Sequence, residues 1–251
     1  MPACRDDRRF TQGATTVIEL RSDMLVELVD SMGDDTSVVR AAKVSTAGQG
    51  AAHYVQHEQA APKLIGYLMR NRHGSPFEHT AFTFYVEAPI FVWREIMRHR
   101  IASYNEESAR YRKLDPAFYV PARERDLVQS GSSAHPLLTP GSDYQHAHVE
   151  TELRRGAVAA YDAYERLLSH GIAREVARMV LPVNIYSSAY VTMNARALMN
   201  FLSLRTSNLD AAYPSHPMRE IEAVARQFEM IFAERMPATH AAFAENGRVA
   251  P

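Results

Sequence analysis

The chain has 251 residues, 46% hydrophobic and 23% charged, which is enough to bury one substantial core. Its 28 Lys and Arg nearly cancel 29 Asp and Glu, leaving a net charge of -1, so no global field draws it to nucleic acid or an acidic membrane. The lone cysteine, Cys4, excludes an internal disulfide framework and any Cys-rich zinc site; no stretch approaches the roughly 20 apolar residues of a membrane span, and the charged start lacks a signal-peptide core, so the expected location is the cytoplasm.

In chain order, residues 1–13 and 245–251 read as loose termini of a single catalytic domain, 1–251. Ser22 can cap a helix carrying Leu25, Leu28 and Val29, and Thr36 or Ser37 can start another through Val38, Val39 and Ala42. Apolar residues at helical spacing predict a helix over 58–72, ended by Gly74. The period then changes: 79–87 alternates and is rich in aromatic and β-branched residues, a strand signature. Pro89 suits a first helical turn, with a helix over 90–98. Ser, Gly and Pro crowd 129–145, an excursion within the domain. A long helix follows over about 149–169, closing at Gly171, then a shorter one over 172–180 stopped by Pro182, an extended 183–193, and helices over 194–204 and 217–235. Few strands and no βαβ alternation predict an α+β fold, a small antiparallel or mixed sheet with several helices.

The densest set of functional groups is 94–113, where six Arg and Lys against three Glu concentrate positive charge in a neutral protein. Arginine suits phosphate because its planar fork makes paired, charge-assisted hydrogen bonds. A solvated basic turn would look the same, but Ser108 and Arg110 downstream, with Glu106 able to bond a sugar hydroxyl, favour a nucleotide site. In a second cluster, 194–205, Arg196 and Asn200 share one helix face, whereas Arg205 falls within the arc of Leu198, Phe201 and Leu202. Burying an unpaired guanidinium is expensive, so Arg205 needs an anionic partner, a polarised carbonyl or an exit to solvent. Arg174 and Arg178 lie one turn apart, the pattern of a solvated helix face. The turn 73–79 offers His73, Ser75, Glu78 and His79, and His146 and His148 form an H-x-H pair, but neither has the spacing of a standard metal site.

Taken together these segments resemble the flavin-dependent thymidylate synthases. Arg98-His99-Arg100, followed after seven residues by Ser108 and then Arg110, resembles their RHRx7-8S signature. His73 to His79 resembles an upstream HxxxFEH-like turn, Arg174 to Pro182 (REVARMVLP) the central helix, and Asn194-Ala195-Arg196 through Asn200 to Arg205 the C-terminal site helix, all in the family's order over about 34–237. The resemblance implies reductive methylation of dUMP to dTMP, with methylenetetrahydrofolate as one-carbon donor, FAD as cofactor and NADPH as reductant. It also implies a homotetramer whose active sites are shared between chains. By position, His73, Ser75, Arg98, His99, Arg100, Glu106, Asn194, Ala195, Arg196 and Asn200 match FAD contacts. Glu95, Ile96, Met97, Arg98, Glu106, Glu107, Ser108, Ala109, Arg110, Arg178 and Arg205 match the dUMP site, and Arg205 the residue that activates the pyrimidine.

The residue types suit that chemistry. Methylating C5 of uracil requires that carbon to become nucleophilic, and the chain has no suitable cysteine to add at C6. A desolvated arginine beside N3 and its carbonyl would stabilise negative charge and raise electron density at C5, worth about 3 to 4 kcal/mol on the scale of one oxyanion donor. Ser108 lacks a triad-like His or carboxylate beside it and reads as a phosphate ligand with Arg110. Two other classes stay open: a non-enzymatic RNA- or nucleotide-binding protein using 98–113 as an electrostatic footprint, and a metal-dependent phosphohydrolase using His73, His79 and nearby carboxylates.

Overall fold

The computed structural model describes residues 17–53, 61–132 and 137–251. In chain order its elements are β1 (Glu19–Arg21), β2 (Leu25–Met32), α1 (Asp35–Ala47), α2 (Ala61–Arg70), β3 (Ala81–Pro89), α3 (Ile90–Ile96), β4 (Ser103–Glu106) and β5 (Ala117–Tyr119). There follow β6 (Val128–Gln129), β7 (Leu138–Thr139), α4 (Asp143–Ser169), α5 (Arg174–Ala177), β8 (Tyr186–Met193), α6 (Ala195–Arg205), α7 (Arg219–Arg235) and α8 (Pro237–Glu245). This is the α+β mixture of small sheets and helices that the sequence implies. The chain forms two compact units: Ser108–Ile185 with the described residues up to Ser22, and Asp23–Glu107 with Tyr186–Pro251. The expected loose stretch 1–13, with Cys4, lies outside the described residues.

The larger unit, Asp23–Glu107 with Tyr186–Pro251, is built on an antiparallel sheet in the order β2-β3-β8-β4. Strict alternation in β3 buries Phe82, Phe84 and Val86 completely. Those rings meet α7, where Phe84 stacks on Phe228 at 4.2 Å and Phe82 meets Phe232 edge-on at 6.0 Å. Each buried aromatic contributes on the order of 2 kcal/mol by area alone. Where a helix was expected around Leu25 to Val29, the chain forms β2 instead. The i, i+3 spacing of Leu25 and Leu28 suits a helix, but β-branched Val26 and Val29 favour extended backbone, and β3 pairs with them from Leu25–Glu87 to Met32–Ala81. A bulge between Leu28 and Asp30 leaves Val29 half exposed.

Helix boundaries differ from expectation for identifiable reasons. Asp34, rather than Thr36 or Ser37, caps α1, accepting from the Ser37 backbone N–H at 3.0 Å in a capping box. The helix expected over 58–72 begins, among the described residues, at Ala61, and 58–60 lie outside them. It ends before Arg72, whose φ of 60° closes it two residues ahead of Gly74, the residue expected to end it. Gly74 serves another need: a Cβ there would meet Arg196 Nε at 2.5 Å, so glycine lets the turn approach that side chain.

At the other end of the chain, 245–251 is not loose. Arg248 is 7% exposed and Pro251 is buried, because α8 continues the core and the Arg248 guanidinium finds Glu229 and Thr206 inside the unit. The sequence expectation failed here because a short polar tail with one glycine carries no periodicity.

In the smaller unit β1 and β5 pair in parallel, and β6 and β7 pair antiparallel across the start of the expected excursion 129–145. The capping box of Ser142 and Gln145 starts α4 six residues earlier than expected. Tyr161 and Tyr164 anchor α4, Tyr161 donating its hydroxyl to the Leu114 carbonyl at 2.7 Å. The helix expected over 172–180 is the shorter α5 followed by a 3-10 turn at Arg178–Val180, since Pro182 cuts it short. Among the described residues no helix is long and apolar enough to cross a membrane.

Candidate functional site

Within the larger unit the cluster of interest forms where the C-terminal ends of α3 and α6 meet. Trp93 fixes α3 by donating its indole N–H to the Ser187 carbonyl of β8 at 3.1 Å in the core. Tyr104 of β4 closes the helix end, donating its hydroxyl to the carbonyls of Ile96 at 3.0 Å and His99 at 2.7 Å. Burial pushes that phenol up to about 12, so it stays protonated and works as a donor. The turn that follows α3 is therefore held at a carbonyl on either side of Met97 and Arg98.

Arg205, the last residue of α6, reaches this turn. Its side chain is 20% exposed. Nη1 donates to Glu95 Oε2 at 2.7 Å, and Nε donates to His99 Nε2 at 3.1 Å. Of the three outlets open to a guanidinium on an apolar helix face, Arg205 takes an anionic partner, Glu95. Guanidinium nitrogens only donate, so His99 Nε2 accepts, and the proton of a neutral imidazole sits on Nδ1. Burial, reinforced by the Arg205 charge, pushes His99 down to about 4, in keeping with a neutral ring packed 4.6 Å from Phe201. The result is a cation fixed by one carboxylate and one neutral acceptor, the form of preorganised electrostatics that stabilises charge developing on a ligand.

Arg98 and Arg100 differ. Both are exposed, and neither guanidinium makes an ion pair or hydrogen bond among the described residues. Glu106 accepts from Ser187 Oγ at 2.6 Å and Glu107 from the Ser188 backbone N–H at 3.0 Å, so β8 orients both carboxylates. The side chains of Ile96 and Ala195, both among the expected ligand contacts, are fully buried in this unit. Met97 is half-buried.

A second group lies along 73–79 and the start of α6. Asn194 caps α6 through the Ala197 backbone N–H at 2.8 Å, and Asn200 faces solvent, donating to the Arg196 carbonyl at 3.2 Å. Arg196 binds Glu78 Oε1 at 2.5 Å and the Pro251 carbonyl at 2.6 Å. His73 and Ser75 line a cavity of about 450 Å³ with Ala41, Thr46 and Tyr67, and the His73 ring lies 5.8 Å from that of Tyr67. Among the described residues no three His, Cys, Asp or Glu side chains group as metal ligands.

The remaining expected residues belong to the smaller unit. Ser108 Oγ accepts from the Arg110 backbone N–H at 3.3 Å, and Ala109 is buried. Arg110 Nε donates to Glu175 of α5 at 3.0 Å, an exposed pair, and Arg178 is exposed in the turn after α5. This unit thus gathers Ser108, Arg110 and the α5 segment. Sequence reasoning missed Tyr104, Thr206, Glu229 and Arg248. Tyr104 lies within the basic 94–113 cluster, whereas the other three carry no local signal.

The sequence family described as "Thymidylate synthase complementing protein" matches residues 27–238. A "Flavin-dependent thymidylate synthase" of Tropheryma whipplei (strain TW08/27) is 54% identical over 230 residues, covering 92% of this chain and 96% of the relative. Another, from Streptomyces coelicolor, is 53% identical over 236 residues, covering 93% and 96%. Among solved structures, a UMP/dUMP methylase, PolB, from Streptomyces cacaoi bound with 5-Br UMP is similar with a TM-score of 0.87 and 55% identity, covering 93% of this chain and 99% of that one. The same protein bound with 5-Br dUMP gives a TM-score of 0.88.

Proposed function

The chain belongs to the flavin-dependent thymidylate synthase family, and from that premise we propose that it methylates C5 of dUMP to yield dTMP. The one-carbon donor is methylenetetrahydrofolate, the cofactor FAD and the reductant NADPH. The observation that carries this reading is Arg205, fixed between Glu95 and neutral His99 on an otherwise buried helix face.

The residues present fit a dinucleotide flavin. Arg98 and Arg100 have no partner among the described residues and suit a pyrophosphate, while the cavity beside His73 and Ser75 offers an aromatic wall in Tyr67. Glycine at 74 admits the close approach of that turn to Arg196. His73, Ser75, Arg98, His99, Arg100, Glu106, Arg196 and Asn200 would hold the cofactor, with Asn194 shaping the start of α6. When bound, reduced flavin supplies the hydride that completes the methyl group.

The chain's own side chains orient and polarise. The Arg205 guanidinium stabilises negative charge at the pyrimidine carbonyl beside N3 and so raises electron density at C5 without a thiolate. Glu95 and His99 keep its fork from rotating. Ser108 and Arg110, with Arg178, bind the nucleotide phosphate, and Glu106 and Glu107, braced by β8, take sugar or base donors. The same reading has a homotetramer with shared active sites, working in the cytoplasm.

Purified protein supplied with FAD, NADPH, methylenetetrahydrofolate and dUMP is expected to be yellow and to form dTMP; colourless protein that cannot be reconstituted with FAD overturns the proposal. Ser108→Ala is expected to weaken dUMP binding about three- to tenfold with catalysis retained. Loss of chemistry with intact binding would make Ser108 a nucleophile instead. A second reading has a specific observation behind it, since the 55%-identical Streptomyces cacaoi protein is a UMP/dUMP methylase. On that reading UMP is also methylated, and parallel assays with UMP and dUMP decide between the two.

A further inference from the structure

Arg248 and Pro251 grip α6 at its two ends. Arg248 Nη2 donates to Thr206 Oγ1 at 2.8 Å, and Thr206 is the C-cap of α6, adjacent to Arg205. Thr206 is 2% exposed and sends both its backbone N–H (3.1 Å) and its hydroxyl (2.6 Å) to the Leu202 carbonyl. The other arm of Arg248, Nη1, donates to Glu229 Oε1 of α7 at 2.7 Å, where His240 Nε2 of α8 also bonds at 3.0 Å. One guanidinium therefore ties the last turn of α6 to α7 and α8. Further along, Arg72 Nη1 donates to the carbonyls of Val249 at 3.1 Å and Ala250 at 2.9 Å, and Arg196 Nε to that of Pro251 at 2.6 Å.

Two physical points separate this from ordinary packing. Helix ends fray unless their last carbonyls and cap are held, and Arg205 sits on the last turn. Second, the non-glycine residues with positive φ among the described residues are Arg72 (60°) and Arg248 (56°), both in this contact. A left-handed arginine is strained, and such strain persists where the surroundings demand that side chain. The buried charge is also kept: burial pushes the Glu229 carboxyl up, but bonds from His240 and Arg248 and the Arg248 charge outweigh it and hold it down at about 2.

We propose that Arg248 is a positioning residue for Arg205: through Thr206 and Glu229 it clamps the C-terminal turn of α6, so that the Arg205 guanidinium meets the pyrimidine at a fixed place. This rests on the assignment of Arg205 to pyrimidine activation. Displacing a catalytic group by about 1 Å can cost up to about a hundredfold in rate, and loosening one turn is expected to cost part of that.

The test uses Thr206→Val, which keeps shape and removes the hydroxyl, and Arg248→Lys, which keeps charge beside Glu229 but gives up the fork. Each is expected to lower kcat about tenfold, with KM for dUMP within about twofold and flavin content unchanged. The double variant should be no slower than the worse single, because both cut one linkage. Amide hydrogen exchange at Thr206 should quicken at least about tenfold while that at Met199 stays put. A merely structural contact would lower the melting temperature and leave kcat of the folded enzyme alone. Single variants within twofold of wild type in kcat, losses that multiply in the double variant, or unchanged exchange at Thr206 would each overturn the proposal. If wild type itself forms no dTMP, the synthase reading has failed, and exchange alone then decides whether Arg248 holds the Arg205 turn.

Discussion

Arg205 and the pair Arg98 and Arg100 are guanidiniums of the same unit in opposite states. Arg205 is 20% exposed and tied to Glu95 and His99, whereas Arg98 and Arg100 are exposed with no partner among the described residues. The difference separates two uses of one side chain. A tethered arginine has paid its ordering entropy during folding and can act on charge that develops late, in a transition state. An untethered one orders only when an anion arrives, so it contributes to ligand affinity and little to the fold.

The contrast breaks first, and by the largest amount, at Arg205. Replacing it with alanine is expected to retain bound flavin and to lower dTMP formation about a hundred- to a thousandfold, read as kcat at saturating dUMP. Near-normal turnover would remove its activating role. Arg98→Ala and Arg100→Ala sit on the other side. Each is expected to weaken flavin binding about ten- to a hundredfold by absorbance titration, since a lost charge-assisted bond costs about 1.5 to 3 kcal/mol. Neither should move the melting temperature by more than about a degree, because neither side chain has a partner to lose. A large thermal loss from either would show that its guanidinium is tethered within the fold like that of Arg205.

How far the sequence anticipated this contrast depends on what carries the signal. Arg205 stood out because it broke an apolar helix face, and that anomaly required a partner; the demand was local, although Glu95 lies 110 residues away. The alternation of β3 and the long α4 were legible for the same reason, since period is a property of neighbours along the chain. What could not be read was set by tertiary pairing. Leu25 to Met32 became a strand because β3 was there to receive it. Arg72 took a left-handed conformation that favours glycine, and the tail around Arg248 is ordered by Glu229 and Thr206, neither near it in sequence. Polar residues without periodicity tell nothing about burial until their partners are known.

His99 sharpens the contrast through pH. Its folded value of about 4 lies below the ordinary 6.5, so between these limits the unfolded chain binds more protons than the folded one, and stability rises with pH. Stability is therefore lost as pH falls from about 6.5 toward 4, by on the order of 2 kcal/mol once the partial exposure of the ring is discounted. The upper part of that window lies above the ordinary carboxylate range, and Glu229, held down at about 2, contributes its loss only at lower pH. Urea midpoints measured at pH 6.5 and 4.8 should differ in wild type, and the difference should shrink in His99→Gln, which keeps an acceptor for Arg205 and cannot titrate. An equal difference in the variant would mean that the imidazole is not the group held neutral beside Arg205.

Glu95→Gln is expected to have the smallest effect and tests what the tether requires. The amide oxygen can still accept from Arg205 Nη1, now bonded at 2.7 Å, and His99 still accepts from Nε, so the fork keeps its orientation. What disappears is the compensating negative charge. If Arg205 acts by geometry, kcat should stay within about threefold of wild type, because a neutral acceptor preserves the bond for roughly 1 kcal/mol less than a carboxylate. Glu95→Ala, which removes the acceptor, should cost several times more. If both variants fell together by a hundredfold, the carboxylate itself would be touching the reacting nucleotide, and Arg205 would no longer stand apart from Arg98 and Arg100 as the arginine that acts without a ligand to order it.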